Sequence, residues 1–291
     1  FSSPLVPPRM LLGLPDDVLE VVSSYLQSST LGHVCRRLQE RFGRRYFAIG
    51  LRPSNAARRL EAIKDTVQVL TAGCNTMYTI GNDRRLYFNP LKTAPLLHTL
   101  RLTFRESCLT EGGAWALMAL RNVHSLEHVA LDLQYNELGD NTLQAVASLR
   151  ALPRLRVLDV RLKYEWLGER GGTTTRRLGD SSVEVLSTLR HARTLEELSL
   201  DLSAHQVSNR GAEAFAQLKA TPRLSSFCLQ LLSNEVSDAG AAALATLADS
   251  TTLRALHLDL RFNPIGTAGL QALGALEAAP GLRFVTVKSG V

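Results

Sequence analysis

Three segments, "LEELSLDLSAHQV" (195–207), "LSSFCLQLLSNEV" (224–236) and "LRALHLDLRFNPI" (253–265), share one apolar pattern. Each opens on Leu and carries apolar residues three, five, seven and twelve places later. Extended in both directions, the pattern starts units at Leu97, Leu126, Leu155, Leu195, Leu224, Leu253 and Leu282, every step being 29 residues except a step of 40 after Leu155. Alternation with period two over the first part of a unit predicts a strand with one buried face. In the second part the period changes. Leu117, Val146, Leu186, Phe215, Leu244 and Leu273 are each followed three residues later by another Leu, within Ala-rich stretches such as "GAEAFAQL" and "GAAALATL". That spacing predicts one side of a tightly packed helix. Pro153, Pro222 and Pro280 mark returns where a helix must stop. A single strand–turn–helix unit cannot cover its own apolar side, whereas stacked units share one core. The pattern therefore predicts an α/β solenoid of about seven strand–helix repeats over residues 96–291.

These columns resemble the leucine-rich repeat family, and the unit length with its GD/SD-x-G-x-x-A-L helix is similar to the ribonuclease-inhibitor-like subclass. The resemblance implies a horseshoe, with strands lining a concave face and helices outside. One feature departs from the family: Asn136, Asn234 and Asn263 come ten residues after the first Leu instead of nine, after an additional apolar residue. A longer strand is expected from this. The Asn column is expected to cap backbone groups in the turn that the neighbouring unit leaves unpaired. Ser107, Glu165 and His205 fill that column in other units. His205 is read as a substitute turn-capper in preference to a ligand or a base.

Residues between the apolar positions of each strand are expected on the concave face. Six places after each start stand Thr103, Asp132, Arg161, Asp201, Gln230, Asp259 and Lys288. The Asp residues are expected to be offset across strands, Asp132–Arg161–Asp201 and Asp259–Lys288, and not to form a metal or acid–base site. The partner-binding residues of this face are read as Arg101, Arg105, His128, Lys163, His257 and Arg261. The surface is polar and of mixed charge, with Phe284 as its lone aromatic. It lacks the stacking platform of single-strand nucleic-acid binders and suits a protein partner better.

The step of 40 carries 11 additional residues within "YEWLGERGGTTTRRLGD" (164–180). The Gly-rich stretch lacks the spacing and the lysine of a phosphate-binding loop. Residues 150–193 hold ten Lys/Arg against five Asp/Glu. The insertion is either a solvated loop or a basic contact in which Trp166, Arg170, Arg176 and Arg177 meet an acidic protein surface or RNA.

The head has another texture. In residues 11–42 Asp16 and Asp17 open a helix with apolar Val18, Leu19, Val22, Tyr25 and Leu26, and Leu31, Val34, Cys35 and Leu38 form a second. "LPDDVLEVVSSYL" and "HVCRRLQERF" resemble an F-box, although the link "QSSTLG" is shorter than that family's. The resemblance implies that Leu14, Pro15, Val18, Leu19 and Val22 face the small adaptor protein of cullin–RING ubiquitin ligases. The other reading is a helical cap on the exposed end of the solenoid. The chain divides into an extended segment (1–10), the F-box-like region (11–48), a linker with a degenerate capping repeat near Val67 and Leu70 (49–95), and the repeats (96–291).

Composition narrows the function classes. The chain of 291 residues is 45% hydrophobic with a formal charge of +6, ordinary for a globular protein and permissive of an acidic partner. Its four cysteines show neither pairing nor CxxC spacing, which argues for a reducing compartment and against a zinc site. Metal-protease, hydrolase, dinucleotide and Walker motifs are absent, so no catalytic residues, metal or cofactor are expected. Three readings remain: an F-box-like substrate-recruiting adaptor of a ubiquitin ligase, a scaffold subunit of a large multiprotein or ribonucleoprotein complex, and an RNA-contacting subunit using the basic third unit. Neither a membrane span nor a small-molecule substrate is expected. A cytoplasmic or nuclear location is expected. The alternative is mitochondrial, because "FSSPLVPPRM" suits the remnant of a removed presequence as well as an arbitrary boundary.

Overall fold

The computed structural model describes residues 45–50, 56–73, 88–105, 116–136, 138–164 and 177–290. The F-box-like positions Leu14, Pro15, Val18, Leu19 and Val22, and Trp166, Arg170 and Arg176 of the insertion, lie outside the described residues, as do Ser107 and Glu165. The described chain forms one parallel sheet in strict chain order: β1 (Tyr46–Gly50), β2 (Val69–Gly73), β3 (Thr99–Thr103), β4 (His128–Asp132), β5 (Val157–Arg161), β6 (Glu197–Asp201), β7 (Ser226–Gln230), β8 (Ala255–Asp259) and β9 (Phe284–Lys288). Seven of these are the strands of the repeated pattern. β2 lies in the stretch where a degenerate capping repeat near Val67 and Leu70 is expected. β1 extends the sheet by one more strand, beginning inside the stretch assigned to the head.

The columns register as their spacing requires. Leu100 pairs with Val129, Leu158 with Leu198 and Phe227 with Leu256, so each apolar column continues across the sheet. The 40-residue step from β5 to β6 keeps the same register as the 29-residue steps, so the insertion leaves the core undisturbed. Behind the sheet lie α1 (Ala56–Glu61), α2 (Asp140–Ser148), α3 (Asp180–Ser187), α4 (Asn209–Ala216), α5 (Asp238–Ala245) and α6 (Thr267–Gly274), of which α2 to α6 pack each on the next. One continuous core runs from Ala56 to Leu276. Burial of each Leu contributes about 1.5–3 kcal/mol.

The expected lengthening of the strand appears as a hydrogen-bonded ladder that outlasts the five-residue strands. Leu202 and Ala204 N–H donate to Gln230 and Leu232 C=O of the next unit, and Leu231 and Ser233 repeat this toward Asp259 and Arg261. The ladder ends at a left-handed residue, Tyr135, Ala204, Ser233 or Phe262, immediately before the Asn-column residue. A positive φ there turns the chain off the sheet and aims the next side chain back into the stack.

The starts of α4, α5 and α6 are capped mainly by the preceding helix. Asp180 Oδ1 accepts from Ser208 N–H (2.8 Å) and Gly211 N–H (3.0 Å), and Asp238 Oδ1 accepts from Gly266 N–H (2.6 Å) and Gly269 N–H (3.0 Å). Asn209 Oδ1 does the same for Ser237 and Gly240. This explains the glycine in the repeated helix motif. A Cβ on Gly240 would lie 2.7 Å from both Asn209 Oδ1 and Val236 Cγ1. In α3 the same position is Ser182, whose hydroxyl donates to Asp140 Oδ1 (2.8 Å). Gly240→Ala is expected to cost about 1–2 kcal/mol in chemical denaturation. Overpacking of about 1–3 kcal/mol is partly offset by the better helix propensity of Ala, worth up to about 1 kcal/mol. A stabilised variant would show that α4 and α5 separate without penalty.

Candidate functional site: the open face of the sheet

Side chains that do not enter the core form a broad face turned away from the helices. At its β3–β5 end, Arg101 and His128 are half-buried on neighbouring strands, Arg105 follows β3 and Lys163 follows β5. The Arg105 guanidinium lies 5.1 Å above the Tyr135 ring and 3.9 Å from Asp132. Tyr135 is thus a second aromatic beside this face, missed in the sequence because it falls on the left-handed turn position and not on a strand. His257 and Arg261 sit at the far end, on and after β8. Between the two groups β6 presents Glu197, Ser199 and Asp201, and β7 presents Ser226, Cys228 and Gln230. The six residues read as partner-binding therefore form two separate groups on either side of β6 and β7. Arg177, after the insertion, is exposed, with its guanidinium 5.6 Å over the Tyr164 ring.

The expected cross-strand charge ladder is not how the charges are satisfied. Asp132, Arg161 and Asp201 do stand in register, as do Asp259 and Lys288. The described ion pairs of Arg161 and Arg261 nevertheless run along their own strands: Arg161 to Asp159 (3.1 Å) and Arg261 to Asp259 (2.6 Å). The Asp column also accepts hydrogen bonds from the residue two places on. Asp201 Oδ1 takes both Ser203 N–H (3.0 Å) and Ser203 Oγ–H (2.6 Å), and Asp259 Oδ1 takes Arg261 N–H (3.3 Å) and Nε–H (2.9 Å). Such Asx-type bonding closes the strand end locally and orients the carboxylate before a neighbouring strand can compete. At Asp259, only 5% exposed, burial works to raise the carboxyl pKa, but the Arg261 hydrogen bonds and charge, with the charge of Lys288 across the strands as expected, together hold it below the ordinary value. Arg261 is therefore less free to meet a partner than its position suggested.

Chemistry is weak on this face. Cys228 and His257 occupy paired positions on adjacent strands. Burial pushes the Cys228 thiol up against hydrogen bonds from Ser199 and Gln230, while burial and then the Lys288 charge push the His257 imidazole down. Both are neutral near pH 7, so no thiolate–imidazolium pair forms. Among the described residues no three His, Cys, Asp or Glu side chains gather as a metal site, and no helix is long and apolar enough to cross a membrane.

His205 belongs to the turn, as its column implied. It is 4% exposed; Nε2 donates to Leu162 C=O (2.9 Å) and Nδ1 accepts from Leu178 N–H (3.2 Å). Asn234 makes the equivalent pair, donating to Leu202 C=O (2.9 Å) and accepting from Val207 N–H (3.0 Å). The longer imidazole thus bridges the last residues before the insertion to the first ones after it.

One cleft outside the open face was not anticipated. At the edge where strands begin, Glu127, Arg154, Arg156, Thr194, Glu196 and Arg223 enclose about 310 Å³. Arg156 and Glu196 pair at 2.7 Å, which lowers the Glu196 carboxyl pKa.

In comparison with known proteins, residues 191–216 and 250–274 match the model of the Leucine Rich repeat family. A search of curated proteins returns no match. Among solved structures the chain is similar to an internalin (inlF) from Listeria monocytogenes, 16% identical over 79% of this chain with a TM-score of 0.39. It is also similar to internalin C2 of the same organism, 19% identical over 78% of this chain and 84% of that one, with a TM-score of 0.37. The chain spans 55% of the first internalin. Nine in-register parallel strands, repeated helices behind them and the matched repeats make the fold a leucine-rich-repeat solenoid.

Proposed function

We propose that the chain is a non-enzymatic recruiting module, in which the open face holds a protein partner and the F-box-like head docks onto the adaptor of a cullin–RING ubiquitin ligase. The observation that carries the first half is the open face itself: a broad polar sheet of nine described strands with Arg101, Arg105, His128 and Lys163 at one end and, among the described residues, no gathering of three His, Cys, Asp or Glu side chains. Such a face gives area and shape, which suits macromolecular recognition better than turnover. The second half rests on the likeness of "LPDDVLEVVSSYL" and "HVCRRLQERF" to an F-box. A second reading is a scaffold subunit whose head serves as a cap. It is favoured by β1, which continues the sheet into the stretch assigned to the head, as a capping element does.

The readings separate in a binding measurement with the purified adaptor protein. The recruiting reading expects a complex that Leu14→Asp or Val18→Asp weakens at least tenfold, about 1.4 kcal/mol. Absence of a complex, or equal binding by both variants, would leave the scaffold reading.

A further inference from the structure

The return segments between helix and strand carry a pattern that the open face does not use. Five residues before the first position of five consecutive units stand Lys92, Arg121, Arg150, Arg190 and Lys219. They lie in the short 3-10 turns Asn89–Thr93, Ala119–Asn122, Leu149–Ala151, Thr188–His191 and Gln217–Ala220, each of which touches the next. One cation per turn therefore makes a file along the lateral edge where strands begin. Its rungs are spaced between the ~4.8 Å of paired strands and the ~8–10 Å of packed helices. Further arginines border the file: Arg154, Arg193 and Arg223 just before their strands, and Arg156, Arg254 and Arg283 at the next turn of chain.

The charge is concentrated there. Return segments 88–98, 119–127, 149–156, 188–196, 217–225, 246–254 and 275–283 together hold eleven Lys/Arg against four Asp/Glu. The other described residues between 99 and 290 hold eight against eleven. Local structure accounts for part of the basic set. Arg150 donates to the helix-end carbonyl of Ala147 (2.9 Å), Lys219 pairs with Asp249 (3.0 Å) and Arg156 with Glu196. Favourable interaction with a helix C-terminus explains cations in the turn after a helix. It does not explain Arg154, Arg193 and Arg223, which come later. These three, with Arg121, are exposed, and none is ion-paired among the described residues. Arg154 and Arg223 converge with Arg156 on the cleft of about 310 Å³, where the three arginines outnumber Glu127 and Glu196.

Like charges gathered on one edge repel one another. A polyanion lying along that edge relieves the repulsion, and nine of the eleven cations are Arg, whose planar fork matches phosphate oxygens. The only aromatic residue in the segments, Phe88, is buried, so the edge offers neither a base-stacking platform nor the aromatic anchors of a protein hot spot. We propose that this edge tracks the phosphate backbone of a double-helical nucleic acid, independently of its base sequence.

The test is fluorescence anisotropy with RNA and DNA duplexes of ~20 base pairs and one sequence, from about 50 to about 200 mM salt. At least one duplex is expected to bind, with affinity falling steeply as salt rises. A variant carrying Arg121→Gln, Arg154→Gln, Arg193→Gln and Arg223→Gln is expected to bind at least tenfold more weakly, with a log–log salt slope shallower by about 3.6. Its melting temperature should stay near that of the parent, because no ion pair is removed. Arg105→Gln with Lys163→Gln, on the opposite edge, should leave binding unchanged. Parallel losses for RNA and DNA identify the backbone as the ligand, and binding of one duplex alone identifies the helix form. No duplex binding at low salt, a quadruple variant that binds like the parent, or polyglutamate competing as well as a duplex would each overturn the proposal.

Discussion

Replacing Asn234 by Ala is expected to destabilise the chain by about 3 kcal/mol. The side chain is 7% exposed and ties two units together. Its Nδ2 donates to Leu202 C=O of the preceding unit and to Leu232 C=O of its own, while Oδ1 accepts from Val207 N–H. Leu202 and Val207 are both fully buried, so truncation leaves a buried donor and a buried acceptor without partners, each costing about 1–3 kcal/mol. In a solenoid, stability is the sum of unit terms and nearest-neighbour terms, so the loss falls on the interface between these two units. Asn234→Asp should cost at least as much at pH 7. A carboxylate keeps the bond from Val207 but turns an oxygen toward the Leu202 and Leu232 carbonyls. Urea unfolding of the two variants reads both effects. A loss below about 1 kcal/mol for Asn234→Ala would mean that water replaces the amide at the turn.

That Asn column, with the strands before it, was legible because a strand needs period two and a stack needs the same residue type at the same offset in every unit. β3 to β9 follow from the columns, and His205 was readable as an Asn substitute from its position. β1 and β2 were harder for a physical reason. β2 carries Ala72 and Gly73 at offsets where later units carry an aliphatic and a polar residue, and β1, the first of the described strands, has Phe47 and Ile49 only half-buried. A weakly apolar strand is recognisable mainly by what it pairs with, which spacing alone does not reveal. The charge ladder went wrong because strand register fixes Cα partners, whereas a long guanidinium chooses among all carboxylates within reach. Asp159 and Asp259, two residues away on the same face of the same strand, are reached without crossing to a neighbour. The inter-helix caps were visible as a repeated GD/SD-x-G motif, but the motif does not say that the acid serves the following helix. The basic edge was also open to view in the fixed offset of Lys92, Arg121, Arg150, Arg190 and Lys219.

The second expected effect is a dependence of stability on pH that belongs to His205. Burial is the main cause that lowers its pKa from the ordinary 6.5 to about 4. Arg177 acts in the same direction, and the Leu162 carbonyl and the Asp201 charge oppose it. The geometry agrees, because Nδ1 must stay unprotonated to accept the Leu178 N–H while Nε2 holds its proton against Leu162 C=O. Between pH 6.5 and 4 the unfolded chain binds a proton that the folded chain refuses. The stabilisation is therefore complete above about pH 6.5 and is lost as pH falls toward 4, a change of about 3 kcal/mol. His98 and His257 are also lowered, so they add slope of the same sign in the same range. Asp259 is held below 3.8 and acts only at lower pH. The comparison that isolates His205 is the pH profile of unfolding free energy for the parent against His205→Asn. The amide supplies a donor and an acceptor that do not titrate, so the variant is expected to lose most of the slope between pH 4 and 6.5 while keeping that of His98 and His257. Equal slopes in the two proteins would show that the imidazole accepts its second proton without releasing Leu178, and that the clamp across the insertion is looser than its two hydrogen bonds imply.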